Sequence, residues 1–148
     1  MDNRFYALTP QMSISEAVGI FQGAGKEQGQ PVFGMMVTDG ENRLVGMLSL
    51  YDILLLLRPK HIHIWGEMDD LEISGFLDEA CRRAKGLRVG DIMTTEVITV
   101  TPDTHLLMII DIMIKKHIRR LPVLEGGKIL GIVYFSRVFN SLLARLRD

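Results

Sequence analysis

Two short motifs place side chains capable of chemistry at telling spacings. In Ser49-Leu50-Tyr51-Asp52 a hydroxyl and a carboxylate stand three residues apart. That is the spacing of a helix capping box, in which each side chain accepts a hydrogen bond from the other residue's backbone N–H, the cap alone worth ~1 kcal/mol. In His61-Ile62-His63 two imidazoles fall on one side of an extended segment, with Glu67, Asp69 and Asp70 nearby. Such a pair could begin a zinc or copper site, the basis of a metal-responsive regulator, but structural zinc needs four protein ligands. The favoured reading is a connector whose histidines hydrogen-bond and whose Trp65 anchors it to the core, with a pH response as an alternative. Catalysis is not supported. His105 and His117 have no serine or cysteine at a recognisable spacing, and Cys81 has no identifiable histidine partner. Gly23-x-Gly25-x-x-x-Gly29 lacks the Gly-Lys-Ser/Thr ending of a phosphate-binding P-loop.

The chain that carries these motifs has 148 residues, 47% hydrophobic and 24% charged, the composition of a globular protein. A net charge of −1 leaves no strongly basic face for nucleic acid, although Arg82, Arg83 and Lys85 form one local patch and Lys115 to Arg120 another. The single Cys81 excludes an intrachain disulfide and suggests a reducing compartment, so a cytoplasmic location is expected. The start, MDNRFYALTP, lacks the apolar run of a signal peptide, and runs such as Ile53–Leu57 and Leu106–Ile110 are too short to span a bilayer. The nine methionines read as fillers of an irregular core.

The elements that must position the motifs occur twice. Thr9-Pro10 and Thr101-Pro102 each follow a short apolar stretch and lead into a segment of helical periodicity. Met35-Met36-Val37-Thr38-Asp39 before Leu44-Val45-Gly46-Met47-Leu48 matches Leu121-Pro122-Val123-Leu124-Glu125 before Ile129-Leu130-Gly131-Ile132-Val133. The intervening Asp39-Gly40 and Gly126-Gly127 are the turn chemistry of a tight hairpin. Helices follow at Leu50–Leu57 and Val138–Leu146, the latter with Val138, Leu142 and Leu146 on one face. Each half therefore reads strand, helix, strand, strand, helix, an α/β architecture. The boundaries expected are 1–58 for the first repeat, 59–88 for a connector and 89–148 for the second repeat. Residues Gly23 to Pro31 look like an inserted, mobile loop, and Ile73–Lys85 like an amphipathic helix stopped by Gly86.

The residues Val89-Gly90-Asp91-Ile92-Met93-Thr94, Val97-Ile98-Thr99-Val100-Thr101-Pro102-Asp103, Ile118-Arg119-Arg120-Leu121-Pro122-Val123 and Gly131-Ile132-Val133 resemble a cystathionine-β-synthase-type (CBS) repeat. The first half resembles another, so nearly the whole chain outside the connector is similar to a tandem CBS pair, or Bateman module. The resemblance implies two repeats about a pseudo-two-fold axis with two clefts between them, and pairs that dimerise into a disc. The helix Leu50–Leu57, apolar nearly all round, is expected to be covered on several sides, within the pair and at a dimer contact.

The resemblance also implies a site. The family motif Gly-apolar-apolar-(Ser/Thr)-x-x-Asp is met in full by Gly46, Ser49 and Asp52, the hydroxyl serving a phosphate at a helix N-terminus and the carboxylate serving ribose hydroxyls. The second repeat departs from it, with Tyr134 at the serine position and Arg137 at the aspartate position, while Ser136 remains a cap or phosphate donor. Arg119 and Arg120 lie where the family places basic residues for phosphate, or form a solvated edge; Phe33 and Gly34 occupy that region of the first repeat. One repeat thus keeps the ribose half and the other the phosphate half, consistent with a shared single-occupancy site. Adenine is expected against Leu8, Thr9, Val37 and Met47. The implied ligand is AMP, ADP or ATP, with S-adenosylmethionine an alternative, and no cofactor is required. The expected function is a regulatory adenine-nucleotide sensor, in a homodimer, that passes its ligand state to an effector protein by conformational change; the connector helix and the glycine-rich loop are its candidate docking surfaces. The alternative is a dimerisation or interaction module that has lost nucleotide binding, a view that Tyr134 and Arg137 favour.

Overall fold

The computed structural model describes residues 6–58 and 70–147, without the side chains of 70–73. His61, His63, Trp65, Glu67 and Asp69 fall outside the described residues. The first repeat comprises β1 (Ala7–Leu8), α1 (Ile14–Gln28), β2 (Gly34–Thr38), β3 (Leu44–Ser49) and α2 (Leu50–Leu57). After α3 (Asp70–Lys85) and the short α4 (Val89–Ile92), the second continues with α5 (Leu106–Lys116), β4 (Arg120–Glu125), β5 (Lys128–Tyr134) and α6 (Phe135–Arg147). No helix among the described residues is long and apolar enough to cross a membrane.

The two repeats are the same structure built twice. β1 runs parallel to β2, with Leu8 opposite Val37; in the second repeat this pairing shrinks to one parallel bridge, Val100 with Val123. β2–β3 and β4–β5 are antiparallel hairpins, each with an irregularity at the same place, Val37/Thr38 and Val123/Leu124. Gly34 pairs with Ser49 where Arg120 pairs with Tyr134. The helices leave the hairpins alike: Leu50 N donates to Phe33 O at 2.8 Å and Phe135 N to Arg119 O at 2.7 Å. Gly126 and Gly127, at φ 60° and 82°, make the two-residue type I′ turn expected of them. The first hairpin instead turns over 39–43, with Asn42 rather than Gly40 in the left-handed region, at φ 62°.

Among the described residues three cores hold the chain. One lies under α1 (Leu8, Ile14, Phe21, Val37, Leu48) and one under α5 (Met113, Leu121, Val123). The third joins the hairpins, with Met36, Ile129 and Ile132 packed by Leu44, Met47 and Tyr134. Val89 is sealed in the first core, and its N–H donates to Met12 O at 2.8 Å. The segment that opens the second repeat in the sequence therefore packs on the first.

One expectation is corrected. Residues Gly23 to Gln28 are not a loop: α1 runs through them because Ile14, Ala17, Phe21 and Ala24 keep one buried stripe at helical spacing. The helix stops at Gly29, whose φ of 72° suits glycine and whose N–H donates to Gly25 O. Among the described residues α2 has no buried residue, with Tyr51 71% and Leu54 61% exposed, and β3 and α3 pack against it. α3 runs through Ile73–Lys85 and buries Ala80 and Ala84.

Candidate functional site

β3 ends at Ser49, which caps α2. Ser49 Oγ accepts from Asp52 N at 3.0 Å and Asp52 Oδ2 accepts from Ser49 N at 2.9 Å, a complete capping box. Both side chains are half-buried, and the box leaves the serine O–H and the second carboxylate oxygen uncommitted among the described residues.

The same two residues line a cleft of about 230 Å³. Thr94, Glu96, Val97 and Ile98 form another wall, and Ile118 and Arg120 bring in the second repeat. The 94–98 wall is tied to β3: Met47 N donates to Thr94 O at 2.9 Å and Thr94 N to Met47 O at 2.8 Å. That approach explains Gly46. A Cβ there would stand 2.8 Å from the Met93 sulfur and 2.8 Å from Thr94 O, so the glycine serves contact between the repeats and does not line the cleft.

Arg120 is half-buried at the start of β4, its guanidinium against the backbone of Gly34, where any Cβ would collide with it. Burial lowers the guanidinium from its ordinary value; the Tyr134 phenol opposes this and Arg119 adds to it. An arginine nonetheless stays charged, so the cleft contains a poorly hydrated cation on the same wall system as an uncommitted carboxylate oxygen and hydroxyl.

The related position in the second repeat is different. Tyr134, Gly34, Tyr6, Val32 and Ile132 line a space of about 20 Å³, close to the size of one water. Tyr134 occupies the place that Ser49 leaves open.

Of the residues singled out in the sequence, Ser49, Asp52, Met47 and Arg120 meet at the larger cleft. Arg119 is exposed, and Ser136 is exposed in the first turn of α6; neither lines it. Leu8 and Val37 have no exposed surface and Thr9 is half-buried away from the lining, whereas Met47 lines the cleft together with apolar Val97, Ile98 and Ile118. The 94–98 wall, including Glu96, was not recognised from the sequence. Among the described residues no three histidine, cysteine or acidic side chains cluster to hold a metal ion.

The CBS-domain family model matches residues 1–59 and 89–144. The chain is 36% identical over 69 residues to the mitochondrial CBS domain-containing protein CBSX3 of Arabidopsis thaliana, covering 45% of this chain and 34% of that protein. It is 26% identical to the chloroplastic CBSX2 of the same plant, covering 97% of this chain and 60% of that one. The chain thus spans about a third and about three-fifths of these relatives. A solved structure of CBSX2 from Arabidopsis thaliana superposes with a TM-score of 0.73 at 26% identity, covering 100% of this chain and 94% of that one. A structure of CBSX2 in complex with AMP does so with a TM-score of 0.69 at 27% identity, covering 99% and 95%. The chain belongs to the CBS-domain family, as a tandem pair with the general character of a regulatory module.

Proposed function

We propose that the chain is a sensor that binds one adenine nucleotide in the cleft between Ser49, Asp52 and Arg120. The observation that carries this reading is the meeting, in one cleft of about 230 Å³, of the serine and aspartate of one repeat with the arginine of the other. Asp52 offers its uncommitted oxygen to a ribose hydroxyl, the Ser49 O–H donates to phosphate beside the α2 N-terminus, and Arg120 donates to phosphate. Capping and binding do not compete, because the box engages Ser49 as acceptor and Asp52 through one oxygen. A related CBSX2 structure contains AMP, which supports an adenine nucleotide over other ligands.

Bound ligand stabilises one arrangement of the repeats by its differential affinity for the two states. The exposed apolar residues of α2, α5 and α6, among them Tyr51, Leu107, Ile114 and Phe139, suit contact with a second copy, and α3 suits contact with an effector. Light scattering coupled to size exclusion tests the dimer.

Thermal unfolding with and without AMP, ADP, ATP and S-adenosylmethionine tests the site. A ligand at a hundred times its dissociation constant adds about 2.7 kcal/mol. Asp52→Asn keeps an acceptor for the Ser49 N–H while removing the charge, so the ligand-dependent shift is expected to shrink with little change in the unliganded protein. The second reading, an assembly module without a ligand, draws on the Tyr134-filled space and the satisfied capping box. It would prevail if none of the four compounds moves the transition.

A further inference from the structure

The charges that line the cleft do not suit every adenine nucleotide equally. Among the described residues they are the Arg120 guanidinium and the carboxylates of Asp52 and Glu96, leaving the lining net negative before any ligand arrives. Lys115, Lys116 and Arg119 do not line it. Arg120 is half-buried, whereas Glu96 is exposed and therefore stands at the rim.

The backbone fixes where Glu96 stands at the rim. Thr94 is bonded twice to Met47, and Val97 N donates to Thr95 O at 3.1 Å, a three-residue turn with Glu96 at its apex. The volume points the same way. About 230 Å³ lies below the usual ~300–1,000 Å³ of small-molecule sites, which favours a compact ligand.

We infer that Glu96 sets the charge limit of the site, so that it selects a nucleoside monophosphate and rejects the triphosphate. The inference rests on the proposed nucleotide reading of the cleft. Among the described lining residues Arg120 is the one cation and can meet one phosphate bidentately; each further phosphate adds negative charge to a lining whose other charged residues are Asp52 and Glu96. One added charge near a carboxylate, in surroundings between protein surface and water, weakens binding roughly threefold to thirtyfold.

Calorimetric titration of the full chain with AMP, ADP and ATP in magnesium-free buffer tests this, with Glu96→Gln and, as a control for overall charge, Glu125→Gln at the far end of β4. The wild type is expected to bind AMP at least about tenfold tighter than ATP, with ADP between. Glu96→Gln should narrow that ratio by about threefold or more, chiefly by tightening ATP, while Glu125→Gln leaves it unchanged. AMP binding with an equal or stronger ATP affinity would overturn the inference and leave the nucleotide reading standing. So would a ratio insensitive to Glu96→Gln, or one that Glu125→Gln narrows equally. If no adenine nucleotide binds either the wild type or Glu96→Gln, the nucleotide reading and the inference fall together.

Discussion

The two repeats place corresponding residues on two corresponding clefts, yet one is open and the other nearly filled. At the open cleft stand Ser49, Asp52 and Arg120; at the other, Tyr134 and Gly34 take the places of serine and arginine. The asymmetry enforces itself. Gly34 and Arg120 sit at the same register position of their hairpins and touch, so the guanidinium of one needs the missing side chain of the other. A cation at both positions would collide at the boundary between the repeats. A duplicated fold can therefore divide its roles, one repeat contributing the arginine and the other the space for it.

The contact that closes the open cleft's wall should break most severely. Gly46→Ala pushes a Cβ into Met93 and the Thr94 carbonyl, and backbone cannot swing aside as a side chain can. Overpacking of this kind costs about 3 kcal/mol, and urea unfolding should report a lowered midpoint. Gly34→Ala meets the far end of a flexible arginine instead, so its stability cost should be clearly smaller than that of Gly46→Ala.

The next effect separates the two adjacent arginines. Arg120→Gln removes the half-buried guanidinium from the cleft and should weaken nucleotide binding by about 2 kcal/mol, the scale of a hydrogen bond to a charged group. Arg119→Gln, exposed and off the lining, should leave affinity within about threefold at moderate salt. Equal losses measured by calorimetry would return the pair to a general electrostatic role.

Much of this was legible in the sequence, because periodicity, turn chemistry and a repeated Gly-apolar-apolar pattern are local. The hairpins, α3 and the pairing of Ser49 with Asp52 followed from spacing alone. Gly23 to Pro31 misled because glycine signals a breaker, while the buried stripe through Ala24 depends on tertiary packing that no window of residues displays. A strand's apolar residues look alike in sequence whether they line a cleft, as Met47 does, or lie in the core, as Leu8 and Val37 do. Glu96 was illegible because its place on the lining depends on the Met47–Thr94 bridge between distant segments.

A smaller effect compares the serines at the two α-helix starts. Ser49→Ala loses an observed cap and should cost about 1 kcal/mol, whereas exposed Ser136→Ala should stay within about 0.5 kcal/mol.

The smallest expected effect lies at the hairpin turns. Asp39 Oδ1 accepts from Glu41 N at 2.8 Å and Arg43 N at 3.0 Å, and the Arg43 bond first and the Glu41 bond second hold its carboxyl below the ordinary 3.8. Gly126-Gly127 achieves its turn by glycine conformation, with no carboxylate in the two-residue loop. A carboxyl lowered on folding adds stability that is fully present above its unfolded value and is lost as pH falls through its folded value. The stability difference between the wild type and Asp39→Asn should therefore be constant near neutrality and shrink below about pH 4. Gly127→Ala, strained at a φ of 82°, should show a deficit that persists across that same range, because no proton is involved. Parallel pH profiles for the two variants would mean that the Asp39 carboxylate contributes no charge-dependent stability to its turn.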